Sequence, residues 1–281
     1  MALPLGAVAV HDGPHERIDE LSHRLQHSPH DIAALLERAE LLRRRGDYRS
    51  AHADVRCARL LAPIGRPDIS IADGRLLAAM GCHEQARLRL GACLEEPGVS
   101  AAMRLDALRE RASVHASLGE WSAAAADWTH VIELEARPQA QSYLERFRSQ
   151  LELGAGAADL ALRGLDEGLV ALGPAPALQL AAIELEASAG RFDAALERLE
   201  TLASSGGRHA RWLTTRGDLQ RRAGRSPAAR QDYLAALRSI AQLEAGRRRT
   251  RANLELAQRL RERLTELETL HGRPAATARR R

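Results

Sequence analysis

The segment GDYRSA, residues 46–51, separates two runs rich in leucine, alanine and arginine, and near copies of it recur along the chain. Aligned on the glycine, the copies are GCHEQA from 81, GEWSAA from 119, GAGAADLA from 154, GRFDAA from 190 and GRSPAA from 224. The glycines are separated by 35, 38, 35, 36 and 34 residues. A period near 34 residues indicates stacked helical hairpins. Each unit predicts a helix, a turn at the glycine, a second helix and a loop, because glycine adopts the left-handed conformation at a helix end without strain.

The composition favours helices throughout. Hydrophobic residues make up 45% of the 281 residues but aromatic residues only 3%, so we expect a core of leucine and alanine. Leucine, alanine, arginine and glutamate form helices well, whereas the residue types that prefer strands are scarce. All 41 basic residues are arginine. A GC-rich, bacterial genome explains this usage; selection for bidentate anion binding is the alternative.

The repeat resembles the tetratricopeptide repeat (TPR), with small and large apolar residues at fixed positions of each hairpin. The first copy carries Ala39, Leu42, Gly46, Tyr48, Ala51, Val55, Ala58 and Pro63. The sixth carries Trp212, Gly217, Gly224, Ala229, Tyr233 and Ala236. The second, third and fifth match at Gly74 and Ala86, at Ala112, Ala124 and Trp128, and at Ala195 and Leu199. The fourth departs most, with two extra residues in its turn and Phe147 where a small residue is expected.

This resemblance implies an all-α fold, a right-handed α-α superhelix built as a TPR-type solenoid of antiparallel helix hairpins. We predict one helical-repeat domain over residues 14–271, preceded by an apolar leader or disordered terminus at 1–13 and followed by a disordered basic tail at 272–281. The expected repeats are 32–65, 67–100, 105–138, 140–174, 176–209 and 210–243, with a capping helix over about 250–271.

A second regularity predicts ion pairs between the two helices of a hairpin. In repeats one, three and six an arginine is followed sixteen residues later by an aspartate: Arg38 and Asp54, Arg111 and Asp127, Arg216 and Asp232. Repeat two reverses the order, with Asp73 and Arg89, and repeat five, with Ala182 and Arg198, lacks the pair. A separation above about 6 Å would contradict these pairs, which we expect to fix orientation more than to add stability.

Both ends of the array are predicted to be capped by helices. Near the start, Ile18, Leu21 and Leu25 share one helical face that we expect to pack on repeat one. Near the end, a helix from about Thr250 to just before Gly272 has apolar residues at helical spacing: Leu254, Ala257, Leu260, Leu264, Leu267 and Leu270. A solvating cap is the simpler interpretation of this last helix, and a partner-binding or dimerising helix is the alternative.

The sequence contains no motif for catalysis or for cofactor binding, so we predict neither an enzyme nor a cofactor. Cys57, Cys82 and Cys93 lack metal-ligand spacing and are expected to be buried free thiols. Five of the 11 histidines lie in the first 30 residues. Among these, His23 and His27 are four apart and are weak metal candidates; surface or capping histidines are the simpler interpretation.

The amino terminus leaves the cellular compartment open. MALPLGAVAV, residues 1–10, is apolar but lacks a basic start. It is either part of an export signal, which would make the protein periplasmic or secreted, or a disordered terminus of a soluble cytoplasmic protein. No stretch reaches the roughly 18 apolar residues that a membrane span requires, so no span is predicted.

The TPR resemblance points to binding. In that family the first helices line a concave groove that receives a peptide or a partner's helix. The groove positions here are Glu40, Arg43, Arg75, Asp106, Arg109, Arg148, Glu184, Asp218 and Arg221. Arg75, Arg109 and Arg148 fall in consecutive repeats and either form a basic ladder for an acidic segment or pair with neighbouring acids.

The predicted function is therefore a non-catalytic scaffold or adaptor that binds another protein or peptide. An RNA-binding or regulatory helical-repeat protein that uses arginine clusters is the alternative. The net charge of +4 is small, so nucleic acid is the less favoured partner. A small-molecule substrate is not expected.

Overall fold

The computed structural model describes residues 14–62, 65–154, 156–206 and 209–271. Every regular element in these ranges is helical, which confirms the predicted all-α class. The chain forms two compact units, Met1–Gly154 and Ala155–Arg281, with the division in the turn of predicted repeat four. The prediction of a single domain stays a prediction.

The first unit contains a leading helix, three hairpins and one further helix. These are α1 (Pro14–His27), α2 (Ile32–Arg45), α3 (Tyr48–Leu61), α4 (Pro67–Ala79), α5 (His83–Glu95), α6 (Ala101–Ser117), α7 (Trp121–Leu134) and α8 (Ala140–Leu151). Each helix packs on the next one, and α4 also packs on α2 and α6. The first helices of consecutive hairpins therefore lie side by side.

In the second unit the described residues form one further helix, two hairpins and two terminal helices. Its helices are α9 (Ala157–Leu172), α10 (Pro176–Ser188), α11 (Phe192–Gly206), α12 (Ala210–Arg222), α13 (Ser226–Ala241), α14 (Ala245–Arg248) and α15 (Arg251–His271). Helices α10 with α11 and α12 with α13 form the hairpins of repeats five and six, and α15 packs on α13.

The six aligned glycines lie at the turns, as predicted. Each has a positive φ, from 74° at Gly224 to 91° at Gly154. At Gly46 the backbone N–H donates to the Arg43 carbonyl at 3.0 Å, so this carbonyl in the last turn of α2 has a hydrogen-bond partner. The side chain of Asp47 then accepts a bond from the Ser50 N–H at 3.2 Å and caps the start of α3. One glycine and one capping residue thus set this turn.

Small residues allow the helices of a hairpin to approach closely. A Cβ atom on Gly74 would lie 2.6 Å from Leu90, and one on Gly217 would lie 2.6 Å from the Tyr233 ring. Both partner side chains are fully buried. The motif glycines in repeats two and six are therefore required by contact and not by backbone conformation.

Both predicted terminal helices are present. Ile18, Leu21 and Leu25 of α1 are buried against α2 and join the core of repeat one. Helix α15 begins one residue after the predicted start and buries Leu256, Leu260 and Leu267 together with residues of α13. Leu270 lies in α15, but its side chain is outside the part of the chain that the structure describes.

The first residues of the predicted repeats coincide with helix starts in the structure except in repeat three. There the first helix begins at Ala101, four residues before the predicted 105, because the Ser100 side chain accepts the Met103 N–H at 3.2 Å and caps the helix. The predicted leader at 1–13, the predicted tail at 272–281 and the closing Pro63 lie outside the described residues.

Candidate partner-binding surface

The predicted hairpin ion pairs are confirmed. In repeat one, Arg38 donates from Nε and Nη2 to the carboxylate of Asp54, at 2.8 and 2.7 Å. The corresponding pairs of repeats three and six have the same two-point geometry: Arg111 with Asp127, and Arg216 with Asp232. All three aspartates are buried. Hydrogen bonding to these carboxylates raises the pKa of each arginine, although burial opposes the increase.

Repeats two and five have variants of this pair. Asp73, which is buried, contacts Arg89 at 3.2 Å, as predicted, and also Arg59 of the preceding hairpin at 2.9 Å. In repeat five, Arg198 bonds to Glu186 at 2.9 Å, one helical turn after Ala182. The hairpin of repeat five therefore has a pair, but with the acid displaced by four residues.

The first-helix face of the first unit, defined as the exposed side of α2, α4 and α6, carries five of the predicted groove residues. On α2, Glu40 accepts two bonds from Arg43, both at 2.8 Å, and one from Arg44 at 2.7 Å. Burial alone would raise the pKa of Glu40, but the hydrogen bonds from the two arginines outweigh burial and lower it. The carboxylate is thus held in its charged form.

The same face continues through α4 and α6. Arg75 of α4 donates to Glu110 at 2.7 Å and lies 3.3 Å from Asp106, so it joins the two helices. Arg109 contacts Asp106 at 3.9 Å and donates to Glu135 at 2.6 Å. Glu135 is buried and also accepts from the Ser142 hydroxyl at 2.8 Å. Arg109 therefore holds a structural carboxylate in place.

All three arginines of the predicted ladder have acidic partners. Arg75 and Arg109 pair with acids outside their own helices, and Arg148 pairs with Glu145 on its own helix. The predicted pairing with neighbouring acids is therefore confirmed, and binding of an acidic segment by these arginines stays a prediction. Arg148 is the most accessible of the three, since 61% of its side chain is exposed.

The predicted groove residues of the second unit are not brought together into one network. Glu184 pairs with Arg222 at 2.9 Å, and Arg221 is exposed. Asp218 accepts a bond from the Tyr233 hydroxyl at 2.7 Å and contacts Arg263 of α15 at 2.6 Å. The terminal helix therefore already occupies the carboxylate of Asp218.

The groups with the largest pKa shifts are held in structural roles. Burial raises the pKa of the Cys93 thiol to about 11. Burial and the bond to Asp218 raise the pKa of Tyr233 to about 12. Both groups stay protonated at neutral pH. The three cysteines are free, as predicted, but only Cys93 is buried; Cys57 is exposed because its position on α3 turns away from the hairpin.

The two histidines named as weak metal candidates lie together on α1, with ring centroids 4.7 Å apart in an edge-to-face arrangement. Both are exposed. Within the described ranges no group of three or more histidine, cysteine, aspartate or glutamate side chains is placed to hold a metal ion. The pair therefore offers at most two ligands there.

No described helix combines the length and the apolar character needed to cross a bilayer. No protein-family model and no curated protein matches the sequence.

Solved structures do share the architecture. A C-terminal part of a TPR repeat-containing protein from Cytophaga hutchinsonii superposes with a TM-score of 0.64 at 13% identity, over 82% of this chain and 92% of that chain. The chain has the TPR fold. A second TPR protein, from Parabacteroides merdae, gives a TM-score of 0.51 at 16% identity, over 88% and 92% of the two chains. A Naa15/Naa10 structure bound to HypK-THB matches with a TM-score of 0.54 at 14% identity, over 91% of this chain and 36% of that one.

The sequence reasoning missed the acidic partners of the first-helix face, Glu110 and Glu135, and the cationic partner of Asp218, Arg263. Glu110 is adjacent in sequence to Arg109, but adjacent residues of a helix point in different directions. Glu135 directly follows α7, and Arg263 lies on the terminal helix. No fixed spacing relates either of them to its partner, so no repeat-based signal finds them.

Proposed function

We propose that this chain is a non-catalytic interaction scaffold that binds a peptide segment or a partner's helix on the first-helix face. The observation that carries the proposal is the set of paired charges on that face. Glu40 pairs with Arg43 on α2, and Arg75 joins α4 to Asp106 and Glu110 of α6. These pairs are spread over three consecutive repeats. They hold the side chains in place before any ligand arrives, so a ligand that crosses the repeats meets a preorganised polar surface.

The pairing of these arginines with acids also determines which charges a ligand needs in order to bind this face. Because Arg75 and Arg109 already have acidic partners, a purely acidic segment would compete with those acids. Asp106 on the face and Arg148 on the following first helix, α8, are the more accessible charges, with 49% and 61% of their side chains exposed. A segment that carries both signs of charge fits this surface better than one that carries only acids. The alternation of acid and base on α2, α4 and α6 favours such a partner.

The direct test is a selection of random peptides displayed on phage against the full chain, followed by fluorescence anisotropy with the selected peptide. The paired variant Arg75→Glu with Arg148→Glu should weaken binding at least tenfold, because it reverses one charge on the face and the exposed charge of Arg148 on the following first helix, α8. The matched control is Arg49→Glu with Arg56→Glu, which makes the same charge change at exposed positions of α3. Equal affinity of the face variant and the wild type would rule out the first-helix face as the binding surface.

A further inference from the structure

In the described part of the second unit, α15 is not followed by a helix that would pair with it as a hairpin. Helix α15 packs on α13 as the first helix of a seventh repeat would, with Leu256, Leu260 and Leu267 in a shared core with Tyr233 and Ile240. In the described part of the chain no second helix follows α15. One side of α13 and one side of α15 are therefore left without the helix that covers the corresponding sides in the other repeats.

The comparison with repeat one identifies the uncovered side of α13. Arg59 lies eight residues after Ala51, and Leu237 lies eight residues after Ala229, so the two occupy the same repeat position. Arg59 shares the carboxylate of Asp73 with Arg89, which belongs to the second helix of the next hairpin. This side of a second helix therefore faces the following second helix. In α13 it faces an open groove.

This terminal groove has a volume of about 610 Å³. Its floor is apolar: Leu234, Leu237, Ile240, Ala241, Leu254 and Ala257. Leu254 is 55% exposed, a large fraction for a leucine on a helix that otherwise packs well. An apolar depression of this kind at the end of a solenoid is a docking surface of the sort that solvating caps normally remove.

The rim of the terminal groove is strongly basic. It consists of Arg238, Arg248, Arg249 and Arg261, together with Asn253, and no acidic residue lines the groove. The Arg248 guanidinium donates to the Ala241 carbonyl at 3.2 Å. Arg238, Arg249 and Arg261 form no ion pair with any residue in the described ranges, and all three are exposed. Their guanidinium groups are thus available for carboxylates.

We propose that the terminal groove binds an acidic amphipathic helix of a partner protein, which lies where the second helix of a seventh repeat would lie. A helix satisfies its own backbone hydrogen bonds, so it can cover an apolar floor without leaving polar groups unpaired. Apolar residues at positions i, i+3 or i+4, and i+7 would contact the floor. Glutamates or aspartates beside that stripe would bind the rim arginines. The surface is separate from the first-helix face, and neither proposal depends on the other.

Charge argues against two other occupants. The chain's own residues 272–281 carry four arginines and no acid, so the rim would repel them. A second copy that docked through the same surface would place its rim arginines against these ones, because a two-fold interface joins identical patches. A partner with acidic flanks has neither problem.

The probe for the test is a fluorescein-labelled 18-residue peptide with leucines on one helical face and glutamates on the other. A control peptide keeps the leucines and replaces every glutamate with lysine. Anisotropy of each peptide is measured with the full chain at low and at high salt. The acidic peptide should bind at least tenfold more tightly than the basic one, and its affinity should fall as salt increases. Equal binding of both peptides, or of neither, would overturn the proposal.

Two variants locate the site. Leu254→Glu puts a charge on the apolar floor at an exposed position, and Arg249→Glu with Arg261→Glu reverses the rim. Each should weaken binding of the acidic peptide at least tenfold. The matched control, Arg56→Glu with Arg259→Glu, makes the same charge change at exposed positions outside the groove and should bind like the wild type. Equal loss in the control would show general charge attraction and would reject the site.

Two further measurements separate the other occupants. A single-stranded RNA oligonucleotide that bound more tightly than the acidic peptide and was lost in the rim variant would reassign the groove to nucleic acid and overturn the proposal. Analytical ultracentrifugation tests for a second copy in the groove. If the wild type self-associated and Leu254→Glu did not, the groove would be assigned to a second copy and the proposal would be overturned. The Arg75→Glu with Arg148→Glu variant should bind the acidic peptide normally, which keeps this result independent of the first-helix face.

Discussion

The first-helix face and the terminal groove use the same residue type in opposite ways. On the face, Arg75 and Arg109 lie against carboxylates at 2.7 and 2.6 Å. Around the groove, Arg249 and Arg261 have no acidic partner among the described residues. The difference shows that the number of arginines in a segment says little about whether it attracts an anion. What matters is whether a neighbouring helix supplies an acid.

The difference follows from the repeat architecture. A hairpin in the middle of the array has neighbouring helices on both sides. Each neighbouring helix can place an acidic side chain beside an arginine of that hairpin. The terminal groove lies between α13 and α15, and no further helix of the described residues covers it. The floor leucines and the rim arginines are thus what an interior hairpin would present if its neighbour were removed. Three predictions test this contrast between covered and uncovered sides of a hairpin.

The largest effect is expected on the covered side of the last hairpin, at the buried seam between α12 and α13. Gly217→Val should destabilise the protein by about 2–3 kcal/mol, because overpacking a filled core forces side chains and backbone to move. The Tyr233 ring lies 2.6 Å from the new Cβ and is held by its bond to Asp218. Urea denaturation followed by circular dichroism at 222 nm measures the free energy of unfolding.

The matched control for this substitution is Gly246→Val, beside the uncovered side of the same hairpin. Nothing lies within 4 Å of a Cβ at Gly246. Its free energy of unfolding should stay within about 0.5 kcal/mol of the wild type. Similar losses at the two glycines would mean that the contact with Tyr233 is not what matters at Gly217.

The next effect compares a paired with an unpaired arginine. Arg111→Ala removes the two hydrogen bonds that Arg111 donates to Asp127, whose side chain is only 5% exposed, and leaves the His115 ring at 3.7 Å as the neighbour of that carboxylate. An unsatisfied buried acceptor should cost about 2 kcal/mol of stability. Arg261 has no acidic partner among the described residues, so Arg261→Ala leaves no buried carboxylate unpaired. It should change the free energy of unfolding by less than about 0.5 kcal/mol. Chemical denaturation measures the free energy of unfolding of both variants. Equal losses of stability would contradict the difference between a paired and an unpaired arginine.

The smallest effect is a pH dependence confined to the paired face. The pKa of Glu40 is lowered from its ordinary value of 4.5 in the folded chain. Its stabilising contribution is therefore fully present above that value and is lost as the pH falls through the folded pKa. Glu40→Gln should lower stability at pH 7 by about 0.5 kcal/mol. Melting temperatures from pH 7 to pH 3 should show the difference between wild type and variant shrinking below pH 4.5. A difference that does not change with pH would exclude ionisation of Glu40 as its cause.

Much of the fold was predictable because the repeat places the same physical constraint at each copy. The turn glycines need a positive φ, the small residues at Gly74 and Gly217 need a close approach, and the sixteen-residue spacing places Arg38 opposite Asp54. The candidate surface was less predictable. Arg109 lies on a first helix, as predicted, but its partner Glu135 follows α7 and belongs to no repeated spacing.

The sequence by itself determined the helical hairpins, their turns, the seam ion pairs and the two terminal helices, since these depend on residues close together in the chain or at a fixed period. Only the tertiary structure decided which arginines are paired and which are available. It also decided that α15 leaves an apolar groove beside α13. Pairing and coverage depend on which helices become neighbours, and the pattern of any one helix does not contain that information.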